Sequence, residues 1–157
     1  MTQHGRERTA LPGRLSIVFT CRDNGGLSLL AEALANHGEP HLRAFSASAE
    51  RAGPVDLAAV ECLHSARVPA DGLSAKPLEL FALAGAPRIH GVVAMVEAVH
   101  GEASRFAARC GARLHLWRFD EVAHLADTHT RRLAYRRLLP TLRTAIGELP
   151  ATLATAA

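Results

Sequence analysis

Lysine is almost missing from this chain: of its 18 basic residues only Lys76 is not arginine. Gene base composition alone can impose such a bias, so it is not itself a sign of guanidinium chemistry. Aromatic residues are scarce at 4%, and the densest basic cluster, Arg131, Arg132, Arg136 and Arg137, has no aromatic platform beside it except Tyr135. A solvated helix face is expected there, and nucleic-acid binding is not. Long apolar runs are missing too. The most apolar stretch, Gly91 to Val99, contains Glu97 and is far too short to span a bilayer, so no membrane partner is expected. Three cysteines, Cys21, Cys62 and Cys110, lack paired spacing, and Met1 to Arg14 is polar, with nothing like a secretory signal. The expectation is a cytoplasmic protein without disulfides or cofactor.

What is present suffices for one domain. A chain of 157 residues buries roughly two thirds of its unfolded surface on folding. Apolar runs alternate with turn signals as strands interleaved with helices do, which predicts a parallel sheet covered on both faces. Strands are expected over 15–21, 41–48, 89–95 and 112–119. Helices are expected over 28–37, from Pro54 to about Ser65, over 78–83, over 102–110 and over 130–149, the last kinked or broken at Pro140. Residues 1–13 and 150–157 read as flexible tails around a domain at 14–149.

One junction carries chemistry. The first strand delivers Cys21 into Arg22-Asp23-Asn24-Gly25-Gly26-Leu27-Ser28, and a helix follows at once. A Gly-rich turn here can aim backbone N–H groups and the positive helix end at one point, favouring an anion and lowering the pKa of a thiol beside it. Cys21 is then a nucleophile at the mouth of an anion cradle, or else a small buried residue ending a strand.

Four stretches, taken in order, resemble the low-molecular-weight protein tyrosine phosphatase and arsenate reductase family. That family's loop reads Cys-x5-Arg-Ser with Gly-Asn inside it, and its helix reads like Met-Ala-Glu-Ala; Cys21, Asn24, Ser28 and Ala31-Glu32-Ala33 match. Ser46-Ala47-Ser48-Ala49 stands where the second strand ends in Ser-Ala-Gly-Thr. Gly53-Pro54-Val55-Asp56, Ala59-Val60 and Lys76-Pro77-Leu78 follow the next segments closely, and Trp117, Asp120 and Tyr135-Arg136-Arg137 echo the last. The resemblance implies a single three-layer α/β domain with a four-stranded parallel sheet. It also implies Cys21 as nucleophile, Asp120 as proton donor, an anion-binding loop over 22–28, and Ser46 beside Asn24 and Ser28 as loop support.

Three departures argue against turnover. Leu27 replaces the arginine whose planar fork grips two phosphate oxygens, a loss on the order of 3 kcal/mol or more in the transition state. Asp23 replaces glycine and sets a negative charge beside the anion site. Asp120 lacks the following proline and is one residue closer to Trp117 than expected, leaving Glu121 and Asp127 as rivals. Arg22 is placed to supply a substitute charge from the rim, or else to pair with Asp23 or solvent. A family histidine that supports the loop is replaced by Leu73.

His124, Asp127 and His129 fit no standard metal spacing, and no metal is expected. Neither Cys62 nor Cys110 stands where thioredoxin-linked arsenate reductases keep relay cysteines. The expectation is an impaired phosphatase-like protein that binds a phosphate- or sulfate-like anion, or a phosphorylated partner. The alternatives are a weak phosphatase using Cys21, Arg22 and Asp120, or a redox-sensitive thiol. Nothing in the sequence sets an oligomeric state.

Overall fold

A computed structural model describes residues 13–154. The tail expected over 1–13 lies outside them except for Gly13. Strand β1 (Leu15–Cys21) leads through the loop into helix α1 (Leu27–Gly38), and β2 (Leu42–Ser48) and α2 (Leu57–Ser65) follow. A short 3-10 segment (Leu78–Ala82) precedes β3 (Gly91–Ala94), and a second (Glu97–Val99) runs into α3 (His100–Cys110). Strand β4 (Arg113–Leu116) and the long α4 (Thr128–Ala154) complete the chain.

The four strands are all parallel, in the order β2-β1-β3-β4. The chain steps one way from β1 to β2 and the other way from β3 to β4. Right-handed crossovers in opposite directions place their helices on opposite faces. Accordingly α1 and α3 are set apart, with α3 packed against β3 and β4, while α2 and α4 pack on one another and on α1. Two reversed crossovers also open a crevice at the carboxyl ends of β1 and β3, where such sheets bind ligands. Ile17, Val18, Phe19, Val92 and Val93 are fully buried, as strands covered on both faces require.

Several boundaries differ from expectation. Both later strands are shorter than their apolar runs, although single main-chain bonds continue beyond them: Trp117 N–H donates to Ala94 O at 2.7 Å and Phe119 N–H to Met95 O at 3.0 Å. Helix α2 begins at Leu57, not Pro54, because Asp56 caps it by accepting the Ala58 N–H at 3.0 Å. Helix α4 continues through Pro140, which is exposed, so the expected kink or break does not end the helix there, although the proline ring removes one N–H from its ladder. It also continues through Pro150 to Ala154, with Leu153 buried, so the tail expected from residue 150 is helical as far as 154. Among the described residues no helix is long and apolar enough to cross a membrane.

Candidate functional site

Register brings the site together before any side chain acts. Cys21 ends β1 opposite Ser48, the last residue of β2. Beyond that pair the loop 22–26 closes against residues 49–56: Ala49 N–H donates to Cys21 O, Glu50 N–H to Arg22 O, Gly53 N–H to Asp23 O and Asp56 N–H to Gly25 O, all at 2.7–2.9 Å. The loop is a rigid shelf, not a free turn.

A directed chain of hydrogen bonds reaches the thiol. The Lys76 N–H donates to Asn24 Oδ1 at 3.0 Å, which fixes the amide so that Nδ2 donates to Ser28 Oγ at 2.8 Å. Ser28 is then free to donate toward Cys21 Sγ, 2.9 Å away. Asn24 is buried at φ 56°, a left-handed conformation asparagine tolerates better than most residues, and both ends of its side chain are engaged. Thus Asn24 and Ser28 are bonded in series to the thiol, and the Lys76 main chain supplies the anchor.

The thiol is nevertheless not activated. Burial pushes the Cys21 pKa up, and the Ser28 hydroxyl with the N–H groups of Ser28 and Asn24 pulls it back only in part; the Asp23 carboxylate pushes the same way as burial. The lowered pKa expected from the helix end is corrected: Cys21 is 5% exposed, and desolvation of the thiolate outweighs the dipoles.

The two loop glycines answer to close approach. A Cβ on Gly26 would stand 2.0 Å from the Tyr135 hydroxyl, and one on Gly25 would stand 2.8 Å from the Pro54 carbonyl oxygen. Tyr135, from α4, donates to Asp56 Oδ2 at 3.0 Å. The same carboxylate takes Arg131 Nε at 2.9 Å. Burial, then the Asp56 carboxylate, pushes the Tyr135 phenol pKa far up, so it acts as a neutral donor. Tyr135 and Asp56 belonged to the matching stretches but were not read as site residues. Their common link to the loop was invisible without the fold.

Above the thiol lies a cleft of about 220 Å³ with apolar walls from Leu27, Val96, Val122 and the Tyr135 ring. Its charged groups are Arg22, Asp23, Glu50 and Glu121, one cation against three carboxylates. Arg22 does not supply a free charge: Nη1 bonds Glu50 Oε1 at 2.9 Å, and Nε bonds Glu121 Oε1. Asp23 Oδ1 accepts the Gly25 N–H at 3.0 Å, so a carboxylate already holds one donor of the expected cradle.

The remaining candidates separate. Asp120 is exposed and does not line the cleft, whereas its neighbour Glu121 does, with its carboxylate committed to Arg22. Asp127 caps α4, accepting the Thr130 N–H at 3.1 Å and hydroxyl at 2.8 Å, and these bonds lower its pKa. His129 Nδ1 lies 2.9 Å from Arg132 Nη2. Among the described residues no three His, Cys, Asp or Glu side chains gather to hold a metal. Ser46 is fully buried opposite Phe19 in the β ladder, with its Oγ in no bonding geometry. It bears on Glu32, whose pKa burial raises and Lys76 partly restores. Its side chain does not bond the loop, so direct loop support from Ser46 is absent. Glu50, missed in the sequence, was signalled only by its place two residues past the strand that pairs with Cys21.

No protein-family model matches the chain, and no curated protein matches it. Solved structures do. The chain is similar to YfkJ from Bacillus subtilis, at 17% identity and a TM-score of 0.68, over 92% of this chain and 98% of that one. It is similar to Wzb from Vibrio vulnificus in complex with benzylphosphonate, at 14% identity and a TM-score of 0.68, over 89% and 99% of the two chains. An arsenate reductase in the phosphate binding state matches at 16% identity and a TM-score of 0.64, over 88% and 98%. The fold is that of the low-molecular-weight protein tyrosine phosphatases and arsenate reductases.

Proposed function

We propose that this protein keeps the low-molecular-weight phosphatase fold as a non-hydrolytic binding module whose cleft over Cys21 receives a partner group. The observation that carries this reading is the charge of the cleft. Phosphoryl transfer needs positive charge that strengthens as the transition state forms. Here Leu27 supplies none, Arg22 is held by Glu50 and Glu121, and Asp23 faces the same space. The expected occupants, a phosphate- or sulfate-like anion or a phosphorylated partner, both fit poorly, because either would meet an excess of carboxylates. A partner presenting a neutral or weakly polar group fits the apolar walls.

Some relatives in fold are described with phosphate or benzylphosphonate bound. That chemistry comes to this chain only as a comparison for the test. A weak Cys21-dependent phosphatase is the second reading, favoured by the intact Lys76, Asn24, Ser28 and Cys21 hydrogen-bond chain. Free thiols at Cys21, Cys62 and Cys110 support a reducing compartment.

Hydrolysis of a chromogenic aryl phosphate between pH 5 and 8, with Cys21→Ser beside the native protein, separates the readings. The binding module gives the same background rate in both. Turnover that disappears in Cys21→Ser establishes the phosphatase instead.

A further inference from the structure

A second concavity, sharing no lining residue with the Cys21 cleft, runs between α2 and α4 and measures about 530 Å³. Cys62 and Leu139, both nearly buried, belong to its floor, and Ser65, Ala66 and Leu133 to its walls, with Leu133 39% exposed as the apolar side chain most open to a partner. His129, Arg132 and Arg136 line it, and no carboxylate does. Arg143 continues the same side of α4, and it joins Arg136 in favouring the charged form of the Cys62 thiol.

The spacing of 129, 132, 136 and 143 keeps these groups on one helical stripe, about 21 Å long at 1.5 Å per residue. Helix α4 carries five arginines against one acid, Glu148. Arg131 is held by Asp56 and Arg132 by Glu61. Arg136, Arg137 and Arg143 enter no ion pair among the described residues. Two arginines of that stripe, Arg136 and Arg143, are thus left beside the trough with no ion-pair partner among the described residues.

We propose that this groove is a docking site for an acidic peptide segment of a partner protein, which seats an aliphatic side chain over Cys62 and Leu139 and sets carboxylates against Arg136 and Arg143. Charge complementarity selects an acidic chain, and the apolar trough selects a peptide over a nucleic acid. No aromatic side chain lines the groove to stack a base, since Tyr135 on the same helix is 1% exposed and bonded to Asp56. This inference stands apart from the reading of the Cys21 cleft.

The test is fluorescence anisotropy of a fluorescein-labelled peptide of alternating glutamates and leucines, at low and moderate salt. Saturable binding that weakens with salt is expected. The double variant Arg136→Gln with Arg143→Gln should lose about tenfold or more in affinity, as should Leu133→Ser. Arg105→Gln with Arg118→Gln removes the same net charge from exposed sites elsewhere and should change affinity less than about twofold. Melting curves of all variants control for folding. No saturable binding, an equal loss in the control pair, or tighter binding of single-stranded oligothymidylate would each overturn the proposal.

Discussion

The Tyr135 hydroxyl stands 2.0 Å from the point where a side chain on Gly26 would begin, so the last helix and the loop behind the thiol exclude one another's atoms. Any enlargement at residue 26 must therefore lift Tyr135 off Asp56. Gly26→Ala is expected to cost about 2–3 kcal/mol, the sum of overpacking and a lost buried hydrogen bond. Chemical denaturation measures it. A change below about 0.5 kcal/mol would mean the two elements are not so closely joined.

Tyr135→Phe tests the same joint from the other side. It removes one donor but leaves Asp56 bonded to Arg131 and to the Ala58 N–H. The carboxylate is not orphaned, so the expected cost is about 1 kcal/mol, less than for Gly26→Ala.

Much of this arrangement was legible from residue order, and the reasons it was only partly so are physical. Alternating apolar runs and turn residues mark the strands because a sheet buried on both faces needs continuous apolar side chains, as at Ile17 to Phe19 and Val92 to Ala94. Their ends were overextended, since burial continues through Met95 and Val96, past the last regular rung at Ala94, with only single main-chain bonds such as Met95 N–H to Thr20 O beyond it. In the loop, Cys21 was marked by the strand–turn–helix junction, and Asn24 and Ser28 by the family resemblance. The state of the thiol could not, because dipole and desolvation oppose each other and only burial decides between them. Arg22 looked like a substitute charge because its two captors, Glu50 and Glu121, lie 28 and 99 residues away in the chain.

The Cys21 thiol should alkylate with a midpoint above that of free cysteine, near pH 8.5. The sign follows from burial, which disfavours the thiolate in the folded state. The same shift means that the stability associated with this group is complete below the unfolded pKa and is lost as pH rises through the folded one. Iodoacetamide rates against pH should place the midpoint higher still in Ser28→Ala, which removes the hydroxyl 2.9 Å from the sulfur. A midpoint near neutrality would restore the activated-thiolate reading.

Glu32 has the same sign with a different group. Its side chain is 11% exposed, Lys76 Nζ is 3.9 Å away, and burial raises its pKa. The stability its carboxyl contributes is complete below the unfolded value of about 4.3 and is lost as pH rises through the folded value. Glu32→Gln should therefore melt higher than the native protein at pH 7, with the gain shrinking as pH approaches 4. A lower melting temperature at pH 7 would make the Lys76 contact the dominant effect.

Recovering phosphate affinity should require two changes, not one. An arginine at position 27 emerges beside Asp23, Glu50 and Glu121, so Leu27→Arg alone would pair with the nearest carboxylate. Adding Asp23→Gly removes a charge and frees the Gly25 N–H now bonded to Asp23 Oδ1. The double variant is expected to bind inorganic phosphate about tenfold or more tightly than the sum of the two single effects predicts, a coupling of about 1.4 kcal/mol or more. Isothermal titration of all four proteins measures this coupling. Additive effects would show that Asp23 does not oppose the restored guanidinium, and that the acidity of the cleft is not what keeps anions out.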